Sequence, residues 1–130
     1  MLTPPSGKKK VFIIEDDPFL VKAYKFAFQK QNLEVWVAQD GETAVSFLDR
    51  DIPDIVLLDL MLPGMNGFEV LEKIRANARW KNVAVMIVSN LGQPTDIEKS
   101  KNLGVTDYKV KSDVNIEEIV NGVMHFFHLG

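Results

Sequence analysis

Apolar residues fall along this chain in two alternating rhythms. Short apolar runs stand at Val11–Ile14, Leu33–Ala38, Ile55–Leu58 and Val83–Val88, with a shorter, weaker one at Tyr108–Val110. Three of these runs are apolar at every position instead of every second one, the mark of strands covered on both faces. Leu33–Ala38 is interrupted by Glu34, as an edge strand is. Between the runs the spacing is helical. After Pro18, a good first-turn residue, Leu20, Ala23, Tyr24, Ala27 and Phe28 share one face, with Lys22, Lys25 and Lys30 off it. Ala44, Val45 and Leu48 mark a shorter second helix. Phe68, Leu71 and Ile74 mark a third, N-capped by Asn66. A polar fourth helix over about 95–103 follows Pro94 and closes at Gly104. Ile116, Ile119, Val120, Val123 and Phe127 give a fifth.

Strand and helix thus alternate five times. That order predicts an α/β fold: a doubly wound, five-stranded parallel sheet with five helices on its two faces and right-handed crossovers. In such sheets ligands bind beyond the carboxyl ends of the strands, where the strand order reverses. The residues at those ends are therefore the ones to inspect. The first strand runs into Glu15-Asp16-Asp17, the third into Asp59, the fourth into Ser89 and the fifth into Lys111.

Each residue alone has an ordinary explanation, since an acid after a strand usually caps the next helix and a lysine usually sits in water. Together they are harder to dismiss. Crowded carboxylates raise one another's pKa unless a cation intervenes. Hard oxygen ligands suit Mg²⁺, and no histidine or cysteine stands near them to favour zinc. Mg²⁺ beside a nucleophilic carboxylate, a lysine and a hydroxyl is equipment for placing a phosphoryl group on Asp59.

Composition narrows the setting. The chain has 130 residues, one domain's length. It has no cysteine, which excludes a disulfide scaffold, a thiolate nucleophile and a cysteine-ligated metal. With 46% hydrophobic and 25% charged residues it is globular in composition, and a net charge of −3 opposes non-specific binding to nucleic acid or anionic lipid. No apolar run approaches the length of a membrane span, and Val11–Ile14 ends in acids, unlike a signal peptide. A cytoplasmic protein without membrane insertion is expected. Residues 1–8, with Pro4, Pro5 and Gly7, read as a flexible tail, and 9–130 as the folded domain.

From about Lys9 to about Leu129 the sequence resembles the receiver domains of two-component response regulators. The likeness rests on Ile13-Ile14-Glu15-Asp16-Asp17, on Asp54 through Gly67 with Asp59, Pro63 and Gly67 in register, on Ile87-Val88-Ser89, and on Gly104 through Lys111. It implies a flavodoxin-like sheet of strand order 2-1-3-4-5. It makes Asp59 the phosphoacceptor, and gives Mg²⁺ to Glu15, Asp16, Asp59 and the backbone carbonyl of Met61. Ser89 takes the hydroxyl position that bonds the phosphoryl group, and Lys111 that of the lysine pairing with the aspartate and then its phosphate. Tyr108 takes the aromatic position that turns inward on activation, while Asp17 reads as a helix cap.

The resemblance further implies a stand-alone, chemotaxis-regulator-like switch that catalyses its own phosphorylation and dephosphorylation and is no enzyme with an external product. Its donor would be a histidine kinase or phosphotransfer protein, and its output a downstream protein, with the fourth helix, fifth strand and fifth helix as a face for dimerisation. Direct DNA binding is not expected, since no residues remain for a helix-turn-helix module. Two positions depart from the family. Ser112 stands where proline usually follows the lysine through a cis bond, so Lys111–Ser112 is either strained or trans with an altered loop. Asn90 stands where a small residue is usual and narrows access to Asp59.

Rival readings are weaker. A pseudo-receiver binding partners constitutively is opposed by the intact Asp16, Asp59, Ser89 and Lys111. A hydrolase of the haloacid-dehalogenase type needs an aspartate where Met61 stands, and a flavodoxin-like cofactor binder needs a phosphate-cradling loop that is missing after the first strand. His125 and His128 are a thin metal site. Phe19 and Phe26 fall off the main apolar face of the first helix and are expected at the surface. Trp80 is expected as a partly covered loop residue, and Trp36 on the edge strand.

Overall fold

Consecutive apolar residues form strands here because helices cover the sheet on both faces. The computed structural model describes residues 7–129, so positions 1–6 of the expected tail lie outside the described residues. The elements are β1 (Lys10–Ile14), α1 (Pro18–Lys30), β2 (Glu34–Ala38), α2 (Gly41–Ser46), β3 (Ile55–Leu58), α3 (Gly67–Ala76), β4 (Ala84–Ser89), α4 (Pro94–Asn102), β5 (Asp107–Val110) and α5 (Ile116–Leu129). Short 3-10 turns follow α2 at Phe47–Asp49 and β5 at Lys111–Asp113. All four strand pairings are parallel, in the order β2-β1-β3-β4-β5.

Within each central strand, neighbours point to opposite cores. Phe12, Ile14, Val56, Leu58, Val85 and Ile87 pack with α2 and α3 residues such as Ala44, Val70, Leu71 and Ile74. Val11, Ile13, Ile55, Leu57, Met86 and Val88 pack with Tyr24 and Phe28 of α1 and Ile119, Val120 and Val123 of α5. Val21 also lies buried on α1, a position the helical spacing did not single out.

Helix starts follow local chemistry. The Asp17 side chain accepts from the Phe19 and Leu20 N–H groups, Asp40 from Thr43, and Asn66 from Glu69. Gly104 turns the chain out of α4 at φ +70, a conformation that favours glycine.

Three expectations need correction. Trp80 is fully buried, not a partly covered loop residue: its ring meets Phe12 edge-on at 6.0 Å, filling the core below β1. The second helix is shorter than its apolar spacing implies, because the chain tightens at Phe47 and puts Leu48 on the 3-10 turn. Leu33 and Val83 are buried but precede β2 and β4, each strand starting one residue later than its apolar run. The Lys111–Ser112 alternatives are also decided. Among the described residues there is no cis peptide bond, and the altered loop is the Lys111–Asp113 turn.

Candidate functional site

The sheet register assembles the site. Ile14 lies level with Leu58, and Leu58 with Ile87, so Glu15 and Asp59 leave neighbouring strands abreast. Their backbones stay tied to the sheet, the Asp59 N–H donating to the Ile14 carbonyl at 3.0 Å and the Glu15 N–H to Ala38 at 3.0 Å. The chain leaves β1 toward β2 on one side and later fills β3 on the other. The cleft between β1 and β3 is therefore the reversal point expected of this topology.

At that cleft the predicted residues meet. Glu15 and Asp59 are 2% and 4% exposed, while Asp16 is open to solvent. One carboxylate oxygen from each of the three lies within 4.8 Å of the others. Lys111 Nζ reaches into the group, 2.6 Å from Glu15 Oε1 and 2.6 Å from Asp59 Oδ2. The remaining oxygens take backbone donors: the Asp17 N–H meets Glu15 Oε2 at 3.0 Å, and the Met61 N–H meets Asp59 Oδ1 at 2.9 Å. Gly67 permits the tight loop after Asp59. A Cβ there would lie 2.4 Å from both the Asp59 carbonyl oxygen and Leu60 Cα, so any side chain would push α3 off the site.

Electrostatics follow from this packing. Burial raises the Glu15 pKa above the ordinary carboxylate value and the Asp59 charge adds to it, against the lowering bonds from Lys111 and the Asp17 N–H. For Lys111, burial alone would lower the pKa, but the hydrogen bonds and charges of Asp59 and Glu15 outweigh it and raise it. One ammonium among three carboxylates leaves the cleft acidic. Its donors are all hard oxygens, half-open to solvent through Asp16, and they fit Mg²⁺ better than a softer metal.

Ser89 and Tyr108 lie beside this group rather than in it. Ser89 is fully buried, and its Oγ accepts from the Leu91 N–H at 3.3 Å. Tyr108 is half-buried, and its hydroxyl donates to the Leu91 carbonyl. Leu91 thus ties both residues to one stretch of backbone, a link the sequence did not disclose because it runs through main-chain atoms. Burial, with Asp96 and Asp59 nearby, raises the Tyr108 pKa. Asn90 is exposed at the mouth of the cleft. His125, His128, Phe19 and Phe26 are all at the surface, and none of them belongs to the carboxylate group.

The model of the family described as "Response regulator receiver domain" matches residues 11–123. The sensory transduction protein RegX3 of Mycobacterium tuberculosis (strain ATCC 25618 / H37Rv) is 39% identical over 101 residues, 78% of this chain and 43% of RegX3. The chain thus spans less than half the length of that relative. The crystal structure of the phosphorylated cyanobacterial phytochrome response regulator RcpA superposes with a TM-score of 0.83 at 31% identity, over 92% of this chain and 94% of RcpA. The Mn²⁺-bound form of response regulator Rcp1 does so with a TM-score of 0.82 at 26% identity, over 92% and 94%. Among the described residues no helix is long and apolar enough to cross a membrane.

Proposed function

Since the chain belongs to the response regulator receiver domain family, we propose that it is a phosphorylation-dependent switch with Asp59 as phosphoacceptor. The observation that carries this reading is the Lys111 ammonium held 2.6 Å from both Glu15 and Asp59 at the mouth of a parallel sheet. Glu15, Asp16, Asp59 and the Met61 carbonyl are the residues that would hold Mg²⁺. When bound there, the cation neutralises charge on the acidic cleft and on the incoming phosphoryl group.

The chain's own residues do the rest. An Asp59 carboxylate oxygen forms a bond to phosphorus while the bond from phosphorus to the donor breaks, and the leaving group departs with that electron pair. With a histidine kinase or phosphotransfer protein as donor, the leaving group is an imidazole nitrogen. Lys111 then turns from the carboxylates to a phosphoryl oxygen, where the transferred charge is greatest. The Ser89 hydroxyl donates to a second oxygen. As Ser89 moves, Leu91 moves with it, and the Tyr108 hydroxyl follows the Leu91 carbonyl. The change reaches α4, β5 and α5, the face offered to a downstream protein or a second copy. α4 is suited to yield, since Ser100 is its one buried residue.

Incubation with acetyl phosphate and Mg²⁺ tests this reading. The intact protein should gain about 80 Da, the mass of one phosphoryl group, and lose it in hydroxylamine as an acyl phosphate does. Asp59→Ala should gain nothing. Label persisting in that variant, or no label on the wild type, overturns the assignment; the latter result is the one a pseudo-receiver gives.

A further inference from the structure

Among the described residues Tyr24 is the one polar side chain buried in the core between α1, α5 and the sheet, and it is incompletely used. The residue is 1% exposed and its hydroxyl has no hydrogen-bond partner. Its ring stacks on Phe28, one helical turn further along, at 6.2 Å between centroids. A phenylalanine would satisfy that packing equally well. A buried hydroxyl left unpaired costs stability, so a tyrosine here requires a reason.

The direction of the side chain supplies one. α1 begins at Pro18, immediately beyond Glu15-Asp16-Asp17, and runs away from the carboxyl edge of the sheet. Helical side chains lean toward the helix N-terminus. Tyr24 therefore leans back toward the acidic cleft, from the apolar side. Glu15 is the charge that acts on its hydroxyl most strongly, with Asp59 second, both adding to the effect of burial. Glu15 itself has two partners in this state, the Lys111 ammonium on Oε1 and the Asp17 N–H on Oε2.

We propose that the Tyr24 hydroxyl is a reserve hydrogen-bond donor for Glu15, engaged when Lys111 leaves that carboxylate for the phosphoryl group. The inference rests on the phosphoacceptor reading above for the event that draws Lys111 away. Loss of the ammonium takes one of two donors from a buried carboxylate, and Tyr24 carries an unpaired, buried hydroxyl on the side of the core that Glu15 acts on. Tyr24 is thereby a positioning residue: it holds Glu15 in place while the lysine serves the phosphate. It touches no reacting atom.

The experiment compares Tyr24→Phe in two backgrounds by thermal unfolding, without metal or phosphodonor. In the wild-type background the hydroxyl is unpartnered, so its removal should leave the melting temperature unchanged or raise it. In Lys111→Met the ammonium is permanently gone and the hydroxyl is engaged, so the same substitution should lower it. A purely structural tyrosine gives the same shift in both backgrounds, and that result overturns the proposal. In the second arm, Tyr24→Phe should bind beryllofluoride with Mg²⁺, a phosphoryl mimic, roughly tenfold more weakly than wild type. Equal affinity contradicts the proposal. If wild type itself binds no beryllofluoride, the phosphoacceptor reading falls, and the thermal comparison alone decides for or against the hydroxyl.

Discussion

Arg75 and Lys111 stand at opposite ends of the strands, before β4 and after β5, both half-buried and both bonded through their cationic heads to oxygen. Arg75 gives its guanidinium to four neutral carbonyls: Leu103 at 2.6 Å, Val83 at 2.7 Å, Gly104 at 3.0 Å and Lys81 at 3.1 Å. It clamps the end of α3 to the start of β4 and to the turn after α4. Burial lowers its pKa, yet a guanidinium stays charged under any ordinary condition. Lys111 instead sits between two carboxylates, and its attraction to them outweighs its burial. A fork filled by backbone carbonyls has no better partner to move to. A point charge between two carboxylates does, as soon as a more highly charged group or a divalent cation arrives. Under the proposed function, one cation is a fixture and the other is exchangeable.

The largest expected effect comes from breaking the fixture. Arg75→Met should cost about 2–4 kcal/mol in urea unfolding, because four carbonyls lose a charged donor and their partial exposure restores only some of the loss. Mg²⁺ should not repair it. Lys111→Met should cost less, about 1–3 kcal/mol, since the stranded carboxylates can take up protons or a cation. Here added Mg²⁺ should restore most of the stability, and failure to do so would erase the contrast between the two ends.

Smaller effects sharpen the boundary of the exchangeable site. Asp17→Ala should cost about 1 kcal/mol as a lost helix cap. It should leave Mg²⁺ affinity unchanged in a titration, whereas Asp16→Asn should weaken it by roughly tenfold or more. Equal effects on the metal would place Asp17 among its ligands. The least effect is a pH dependence. The folded pKa of Glu15 is raised, so its contribution to stability is full below the unfolded carboxylate pKa and is lost as pH rises through the folded value. Glu15→Gln removes that loss. Its gain in stability over wild type, measured without metal, should grow with pH through that window and stay level above it.

Much of this arrangement is legible in the sequence, for identifiable reasons. Val11–Ile14 and Ile55–Leu58 carry too many consecutive apolar residues for any one-sided sheet, and the residues ending them, Glu15 and Asp59, had to surface together. Asp17, Asp40 and Asn66 sit where local side-chain chemistry starts a helix. What the pattern hides is tertiary. Trp80 follows polar residues in a turn, yet the turn folds back over Phe12 and buries it. The Arg75 clamp joins carbonyls far along the chain, and carbonyls carry no sequence signal. Leu91 links Ser89 to Tyr108 through its main chain, so its identity reveals nothing of the role. Tyr24 left a trace, a hydroxyl on an otherwise apolar face, but periodicity counts that face as core and stops there.

Backbone hydrogen exchange with and without beryllofluoride and Mg²⁺ compares the two ends in one experiment. If Lys111 is exchangeable and Arg75 fixed, protection should change around Asp59, through residues 89–97 and at Tyr108. It should stay constant at Leu103, Gly104 and Val105, whose amides lie beside the Arg75 clamp. Changes confined to the loops around Asp59, or spread equally into residues 103–105, would contradict the division of the molecule into a switching end and a fixed one.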